Sequence, residues 1–435
     1  MSSLIQLEQK LKNKTAIIGI IGLGYVGLPL AVAFANANLK VLGFDNQQKR
    51  VDLVNKGQSY IIDISNESLS KVTTNKLLEA TIDQNRLKEV DAICICVPTP
   101  LTKTKNPDLS YVIHESEEIS KHLQQGQLVI LESTTYPGTT HQIILPILER
   151  SKLKAGQDFY LAYSPERVDP GNSNYNIKNT PKVIGGINSQ STRLAELLYS
   201  QIADVIVPVK SLEVAEMTKI FENVFRSVNI ALVNELTLLC EKMGISVWEV
   251  IDAASTKPFG YMPFYPSLGV GGHCIPLDPY YLASKAREYD FHTRFIELAT
   301  DINEQMPYYV TSRITSILNT DNKSVKGAKI LILGVAYKKD VEDTRESPSL
   351  KLIKLLNEKE ANLSYNDPYV ASITITESTL SSINLTDETL SLADCVVIAT
   401  DHSCYNYKHI VNIAHLVFDT KGVTKKLLGT NIVRM

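Results

Sequence analysis

Cysteine is scarce in this chain, and so is any surplus of charge. Six cysteines stand among 435 residues, at Cys94, Cys96, Cys240, Cys274, Cys395 and Cys404, with no zinc-like CxxC pair among them. So sparse a set excludes a disulfide framework and fits free thiols in a reducing, cytoplasmic setting. Taken singly, each cysteine reads as a small buried hydrophobe. Net charge is −3, with acidic and basic residues interspersed. The lack of a basic face or acidic tail argues against nucleic acid or an anionic membrane as partner and leaves small molecules. No metal site is evident. Disorder is excluded by composition, since 44% hydrophobic and 21% charged residues describe a globular protein of two or three domains.

One long apolar run does occur. Residues 15–35, "TAIIGIIGLGYVGLPLAVAFA", follow the basic stretch "KLKNK" and could suggest a membrane anchor. Gly19, Gly22, Gly24, Gly27 and Pro29 would weaken a spanning helix, and the letters parse better as strand, turn and helix. "TAIIGII" reads as a strand, "GLGYVG" sets Gly22, Gly24 and Gly27 in GxGxxG spacing around Tyr25 and Val26, and "LPLAVAFANA" continues as a helix. The next strand, "KVLGFD", ends in Asp45. In that frame the first glycine makes the turn, the second admits a pyrophosphate, and the third packs helix on strand. Asp45 would accept from a ribose 2′-hydroxyl and repel a 2′-phosphate, which favours NAD over NADP, with Lys49 and Arg50 close by in sequence. Further strands at "DAICICVPTP" and "QLVILESTTYPGTT" extend a parallel sheet. Cys94 and Cys96 are expected in its core, on opposite faces.

The order then repeats. "GAKILILGVAYKKD", a helix and "ANLSYNDP" give strand, loop, helix and a strand ending in Asp367, and "LADCVVIATDH" echoes "VDAICICVPTP". The second loop has no glycine fingerprint but carries Lys338, Lys339 and Arg345, which suits a phosphate held by side chains; a solvated charged loop is the alternative. Between the halves, residues 211–245 form one long helical pattern. Glu216, Lys219, Asn223, Ser227 and Asn234 fall within about 80° of arc on it, as a solvent face or as the wall of a polar cavity.

Seven stretches, "GIIGLGYVGLPLAVAFA", "CVPTP", "ESTTYPGTT", "YSPERVDPGN", "AEMTKIFENVFRSVNIALVNE", "GVGGHCIPLDP" and "GVAYKKDVEDTRESPS", resemble the UDP-glucose/GDP-mannose dehydrogenase family in its own order. The resemblance implies an α/β chain with two Rossmann-like domains joined by a central all-helical domain: residues 1–210 for NAD, 211–306 for dimerisation and the cysteine loop, 307–435 for the UDP of the substrate. It implies a homodimer, an NAD cofactor, and oxidation of a sugar C6 alcohol to a carboxylate, as in polysaccharide biosynthesis. By motif position Cys274 is the nucleophile that retains the aldehyde. Lys219, Asn223 and Asp278 match residues around the catalytic water and oxyanion, and Glu166, with Thr134, matches the base of thioester hydrolysis. Cofactor contacts are expected from Gly22, Gly24, Tyr25, Val26, Gly27, Asp45, Arg50, Pro98, Thr99, Ser133 and Thr134. Substrate contacts are expected from Glu166, Arg167, Lys219, Asn223, Phe264, Tyr265, Gly271, Lys338 and Arg345. The glycines before Cys274 are expected to let backbone and sugar approach. His273 beside it is not expected to pair with it, since neighbours in extended chain point apart.

"RVDPGN" after Glu166 and the aromatic loop "PFGYMPFYPS" look like the branch acting on UDP-N-acetylhexosamines, most closely the UDP-N-acetylglucosamine 6-dehydrogenases. Phe259, Tyr261, Phe264 and Tyr265 could instead be core or dimer contacts. UDP-glucose, UDP-N-acetylmannosamine and UDP-N-acetylgalactosamine stay open as substrates. Two further readings are a β-hydroxyacid dehydrogenase, which would not need Cys274, and a non-catalytic nucleotide-sugar sensor, which could lose the polar stripe.

Overall fold

The computed structural model describes residues 3–61, 63–102, 104–169, 172, 174–272, 275–375 and 378–435. His273 and Cys274 lie outside the described residues. The chain divides into two compact units, Met1–Glu222 with Tyr280–Asp290, and Asn223–Pro279 with Phe291–Met435.

The first unit is built on an eight-stranded sheet. Its strands are β1 (Ile17–Ile21), β2 (Lys40–Phe44), β3 (Leu78–Thr81), β4 (Ala92–Ile95), β5 (Leu128–Leu131), β6 (Tyr160–Tyr163), β7 (Lys182–Gly186) and β8 (Ile206–Val209). They lie in the order 3-2-1-4-5-6-7-8, and the first six run parallel in the dinucleotide-binding order. β7 turns against β6, and β8 follows it. Apolar residues alternate across the sheet, so that Ile18, Ile20, Cys94 and Ile130 enter one core layer and Ile21, Ile93, Ile95 and Val129 the other. Cys94 and Cys96 share a layer rather than facing opposite ways, because residues two apart on extended chain point the same way. The apolar run of residues 15–35 is divided between β1 and the short helix Gly27–Asn36. No helix among the described residues is long and apolar enough to cross a membrane.

The second unit holds a five-stranded parallel sheet of β9 (Lys329–Leu333), β10 (Asn362–Asn366), β13 (Cys395–Ile398), β14 (Val417–Asp419) and β15 (Ile432–Arg434), in the order 10-9-13-14-15. A separate hairpin pairs β11 (Ser372–Ile375) with β12 (Ser378–Ser381). Both sheets reverse strand order beside their first strand, the crevice where such sheets bind ligands. The unit also carries helices Val247–Ala254 and Arg294–Thr320 and most of the long helix Leu212–Met243.

On that long helix the polar stripe is the buried side. Glu216, Asn223, Ser227 and Asn234 are at most 5% exposed, whereas Phe221 on the opposite side is 64% exposed. Each buried polar group therefore needs a partner. Ser227 and Asn234 meet Asn303, and Glu216 accepts from the Gly138 and Thr140 backbone N–H groups and the Thr140 hydroxyl. So Glu216, Ser227 and Asn234 join elements together, and Lys219 and Asn223 complete the buried stripe.

Candidate active site

In the first unit the glycine turn fits a dinucleotide. Gly22 has φ +88°, and a Cβ there would stand 2.9 Å from the Cys96 carbonyl oxygen. A Cβ on Gly27 would overlap the Gly22 carbonyl oxygen at 1.8 Å, while one on Gly24 would meet nothing within 4 Å. The turn thus excludes side chains where it packs and leaves the backbone bare where a pyrophosphate would lie. No side chain caps the Gly27–Asn36 helix, whose N-terminal position is Val26, and Tyr25 stands exposed beside it.

Asp45 sits just past β2 and is buried. Its carboxylate accepts from Leu23 N (3.0 Å) and Gln47 N (2.9 Å) and pairs with Arg50 at 3.4 Å. Arg50, expected at the cofactor, is turned onto Asp45 and lies over the Tyr60 ring at 5.7 Å. Beyond β4, Pro98 is exposed and Thr99 buried, with the Thr99 carbonyl accepting from the Tyr281 hydroxyl at 2.9 Å. Ser133 donates to the Val97 carbonyl at 2.7 Å and so ties the β4 and β5 ends together; Thr134 beside it is half-buried.

A second cluster lies past the ends of β5 and β6. Glu132 is fully buried and pairs with Lys182 at 2.7 Å; Tyr199 donates its hydroxyl to the same carboxylate. Lys182 also reaches Glu166 at 3.5 Å. Burial pushes the Glu166 carboxyl up, but Lys182 first, then the Val168 N–H, Lys219 and the Arg167 N–H, bring it below its usual value. Glu132 moves the other way, raised by burial against the pull of Lys182. Arg167, expected on the substrate, grips Glu222 with Nε at 3.2 Å and Nη2 at 2.5 Å and gives Nη1 to the Pro181 carbonyl at 2.6 Å. That arrangement fixes the loop carrying Glu166.

In the second unit Asn223 donates Nδ2 to Asp278 Oδ2 at 2.5 Å, with both side chains about 95% buried. Two residues 55 positions apart, expected at one catalytic water, are thus in contact. The glycine loop differs from expectation. A Cβ on Gly271 would stand 2.7 Å from Tyr337 Cβ, and one on Gly272, at φ +87°, would stand 2.8 Å from the Tyr337 ring. Those glycines admit Tyr337, and the Gly272 N–H donates to the Arg345 carbonyl at 2.9 Å. Ser267, ahead of the loop, donates its N–H to Asn234 Oδ1 at 2.9 Å.

Phe264 meets Phe225 edge-on at 5.8 Å, and Tyr265 stacks on Trp248 at 6.0 Å with its hydroxyl on Asp252. These contacts favour the packing alternative for both rings. Lys338 is half-buried, and Arg345 forms a bidentate pair with Asp343 at 2.7–3.1 Å. No cluster of His, Cys, Asp and Glu able to hold a metal occurs among the described residues. Sequence reasoning passed over Glu132, Lys182, Tyr199 and Asn303; the signal available was a charge placed at the end of "VILE" and the start of "KVIGG", where a buried strand should be apolar.

The family models for UDP-glucose/GDP-mannose dehydrogenases match three segments: the NAD binding domain at residues 16–203, the central domain at 213–305 and the UDP binding domain at 331–426. A UDP-N-acetyl-D-mannosamine dehydrogenase of Pyrococcus horikoshii is 37% identical over 386 residues, 88% of this chain and 89% of that one. A UDP-N-acetyl-D-glucosamine 6-dehydrogenase of Pseudomonas aeruginosa is 36% identical over 357 residues, 82% of this chain and 83% of that one. The solved UDP-D-ManNAc dehydrogenase of P. horikoshii superposes with a TM-score of 0.87 at 34% identity, covering 96% of this chain and 98% of that one. With its NAD turn and UDP-type second sheet, the chain belongs to the UDP-glucose/GDP-mannose dehydrogenase family and is an NAD-dependent nucleotide-sugar dehydrogenase.

Proposed function

We propose that this enzyme oxidises the C6 hydroxyl of a UDP-N-acetylhexosamine, UDP-N-acetylglucosamine in the first reading, to the carboxylate. The observation that carries the proposal is the buried contact between Asn223 and Asp278, which brings together two residues 55 positions apart that the family motifs assign to one catalytic water. NAD⁺, when bound, accepts the hydrides that leave C6. The first hydride transfer gives an aldehyde, to which the Cys274 thiolate adds. The thiohemiacetal loses the second hydride, its hydroxyl proton passing to water, and becomes a thioester, and water then releases the acid and the thiolate. Lys219, Asn223 and Asp278 hold the water and the developing oxyanion; Glu166, with Thr134 beside its water, takes the proton in hydrolysis.

Residues 1–210 would serve NAD, 211–306 the cysteine loop and dimer contact, and 307–435 the UDP group through Lys338 and Arg345. The homodimer is supported by Phe225, Leu232, Leu236, Leu239 and Met243, exposed within about 60° of arc on the long helix. A cysteine nucleophile at position 274 would need the reducing cytoplasm to stay a thiol. UDP-N-acetylmannosamine is the second reading, favoured by the P. horikoshii relative, and differs in the configuration at C2 alone.

A substrate panel of five sugars, UDP-glucose, the three UDP-N-acetylhexosamines and GDP-mannose, tests the assignment by NADH release. Turnover of an N-acetylhexosamine at least about tenfold above UDP-glucose in kcat/KM supports it, and preference for UDP-glucose refutes it. Cys274→Ser should abolish carboxylate formation with both ligand affinities kept. Iodoacetamide should modify Cys274 in a substrate-protected manner. Burial pushes the Cys94 and Cys395 thiols up to about 12, so both should stay unlabelled, while exposed Cys404 should react without protection by substrate.

A further inference from the structure

The Glu132, Lys182 and Tyr199 cluster has no part in the roles assigned so far. Its geometry follows from the reversal of β7. Antiparallel pairing sets Ala162 opposite Gly186 and Tyr163 opposite Gly185, and past the end of β6 Glu166 stands 3.5 Å from Lys182, the first residue of β7. A parallel β7 would have put its first residue at the other edge of the sheet. The reversal brings an ammonium group to the edge where β5 delivers Glu132 and β6 leads to Glu166.

Three contacts define the lysine. Glu132 takes it at 2.7 Å, Tyr199 lies under it with the ring centroid at 5.0 Å and donates to the same Glu132, and Glu166 Oε2 stands at 3.5 Å. Glu166 Oε1 is separately pinned by the Arg167 and Val168 N–H groups at 2.8 and 2.7 Å. One oxygen of the carboxylate is thus immobilised and the other faces a cation loosely enough to accept a proton. A buried pair of Glu132 and Lys182 alone contributes little, since apolar side chains of similar volume often serve a fold as well. Here the cation has a second carboxylate to serve.

We propose that Lys182 is a positioning residue for thioester hydrolysis: clamped by Glu132 and Tyr199, it keeps the Glu166 carboxylate charged and aimed, ready to take a proton from the attacking water. The inference rests on the reading of Glu166 as the base. In the step it governs, the water oxygen adds to the thioester carbon, one water proton passes to Glu166, the C–S bond breaks, and sulfur leaves as the Cys274 thiolate. The other proton remains on the carboxylic acid until it ionises.

The test compares the pH profile of carboxylate formation at saturating substrates for wild type, Lys182→Met, Glu132→Gln, Lys182→Arg and Glu166→Gln. Loss of the cation raises the affinity of Glu166 for its proton, so Lys182→Met should move the acid limb to higher pH by about one unit or more, with KM for NAD little changed and acyl-enzyme visible by intact mass after acid quench. Lys182→Arg should restore most of the profile. Glu132→Gln releases the lysine wholly to Glu166 and removes a like charge, so its acid limb should move to lower pH. Opposed shifts are not what loss of packing would give, and Glu132→Gln carries the test alone if Lys182→Met fails to fold. Limbs that stay in place, or move together, overturn the role of Lys182. If Glu166→Gln stalls while those limbs stay, this inference alone fails; if Glu166→Gln hydrolyses at the wild-type rate, the reading of Glu166 as the base fails and this inference with it.

Discussion

The two nucleotide-type sheets begin alike and part within one turn. Gly22 follows β1 at φ +88°, and Gly334 follows β9 at φ +85°. Each donates its N–H to the last residue of the neighbouring strand, Phe44 at 2.8 Å and Asn366 at 2.9 Å. An aspartate closes each second strand. After that the residues diverge: where the first turn reads Gly24 and Gly27, the second reads Ala336 and Lys339. Asp45 accepts from two backbone N–H groups and pairs with Arg50. Asp367 accepts from four, at Val335, Ala336, Tyr369 and Val370, and from His402 Nε2 at 3.2 Å. Because His402 Nδ1 accepts from the Asp340 N–H, the ring proton must sit on Nε2, facing Asp367. Burial opposes the charge on Asp367, yet His402 and the backbone donors hold its carboxyl below the usual range. The same strand, turn and acid therefore leave a bare backbone in one half, as a dinucleotide needs, and lock a loop in the other, where the carboxylate is fully engaged and Lys339 is exposed.

Substitutions at matched positions can break this contrast. Gly27→Val drives a side chain into the Gly22 carbonyl and should cost at least about 3 kcal/mol of stability or abolish NAD binding, whereas Lys339→Ala at the matching place should leave NAD affinity unchanged. Isothermal titration with NAD reads both; equal losses would end the contrast. Next in size, Asp45→Ala should weaken NAD by roughly 1.5–3 kcal/mol, while Asp367→Ala should lower the thermal midpoint and spare NAD affinity.

A third experiment uses pH. Burial pushes the Glu216 carboxyl up to about 7, against three donors. A raised carboxyl pKa means the native state holds a proton the unfolded chain has released, so this residue favours folding at low pH and loses that advantage as pH rises from about 4.5 toward 7. Urea unfolding at pH 5 and pH 8 should show Glu216→Gln abolishing a drop on the order of 2 kcal/mol; a drop that persists in the variant would place its source elsewhere. The smallest effect concerns the second half. Arg345→Ala should raise KM for the nucleotide sugar by roughly tenfold and KM for NAD hardly at all, and equal changes would contradict the assignment of the UDP group to that loop.

Much of this contrast was readable in the letters, because short-range patterns carry it. A strand of Ile and Gly, a fixed glycine spacing and a terminal acid define the first half, and their partial repeat defines the second. The polar stripe was visible as periodicity, but which side of the helix is buried depends on what packs there: Asn303 and the Gly138 turn draw the stripe inward. Glu132 and Lys182 were legible only as charges at the ends of apolar strands; that Lys182 meets Glu166 depends on the antiparallel pairing of β7. That Gly271 and Gly272 pack against Tyr337, 66 positions after Gly271, was not legible, since it depends on a contact distant in sequence.

The central claim is a four-electron oxidation carried through Cys274 without release of the aldehyde. Counting NADH formed against nucleotide sugar consumed, with the product weighed by mass spectrometry, tests it most directly. The account predicts two NADH per sugar and a uronic acid as the only product. One NADH per sugar, with the aldehyde as final product, would contradict it.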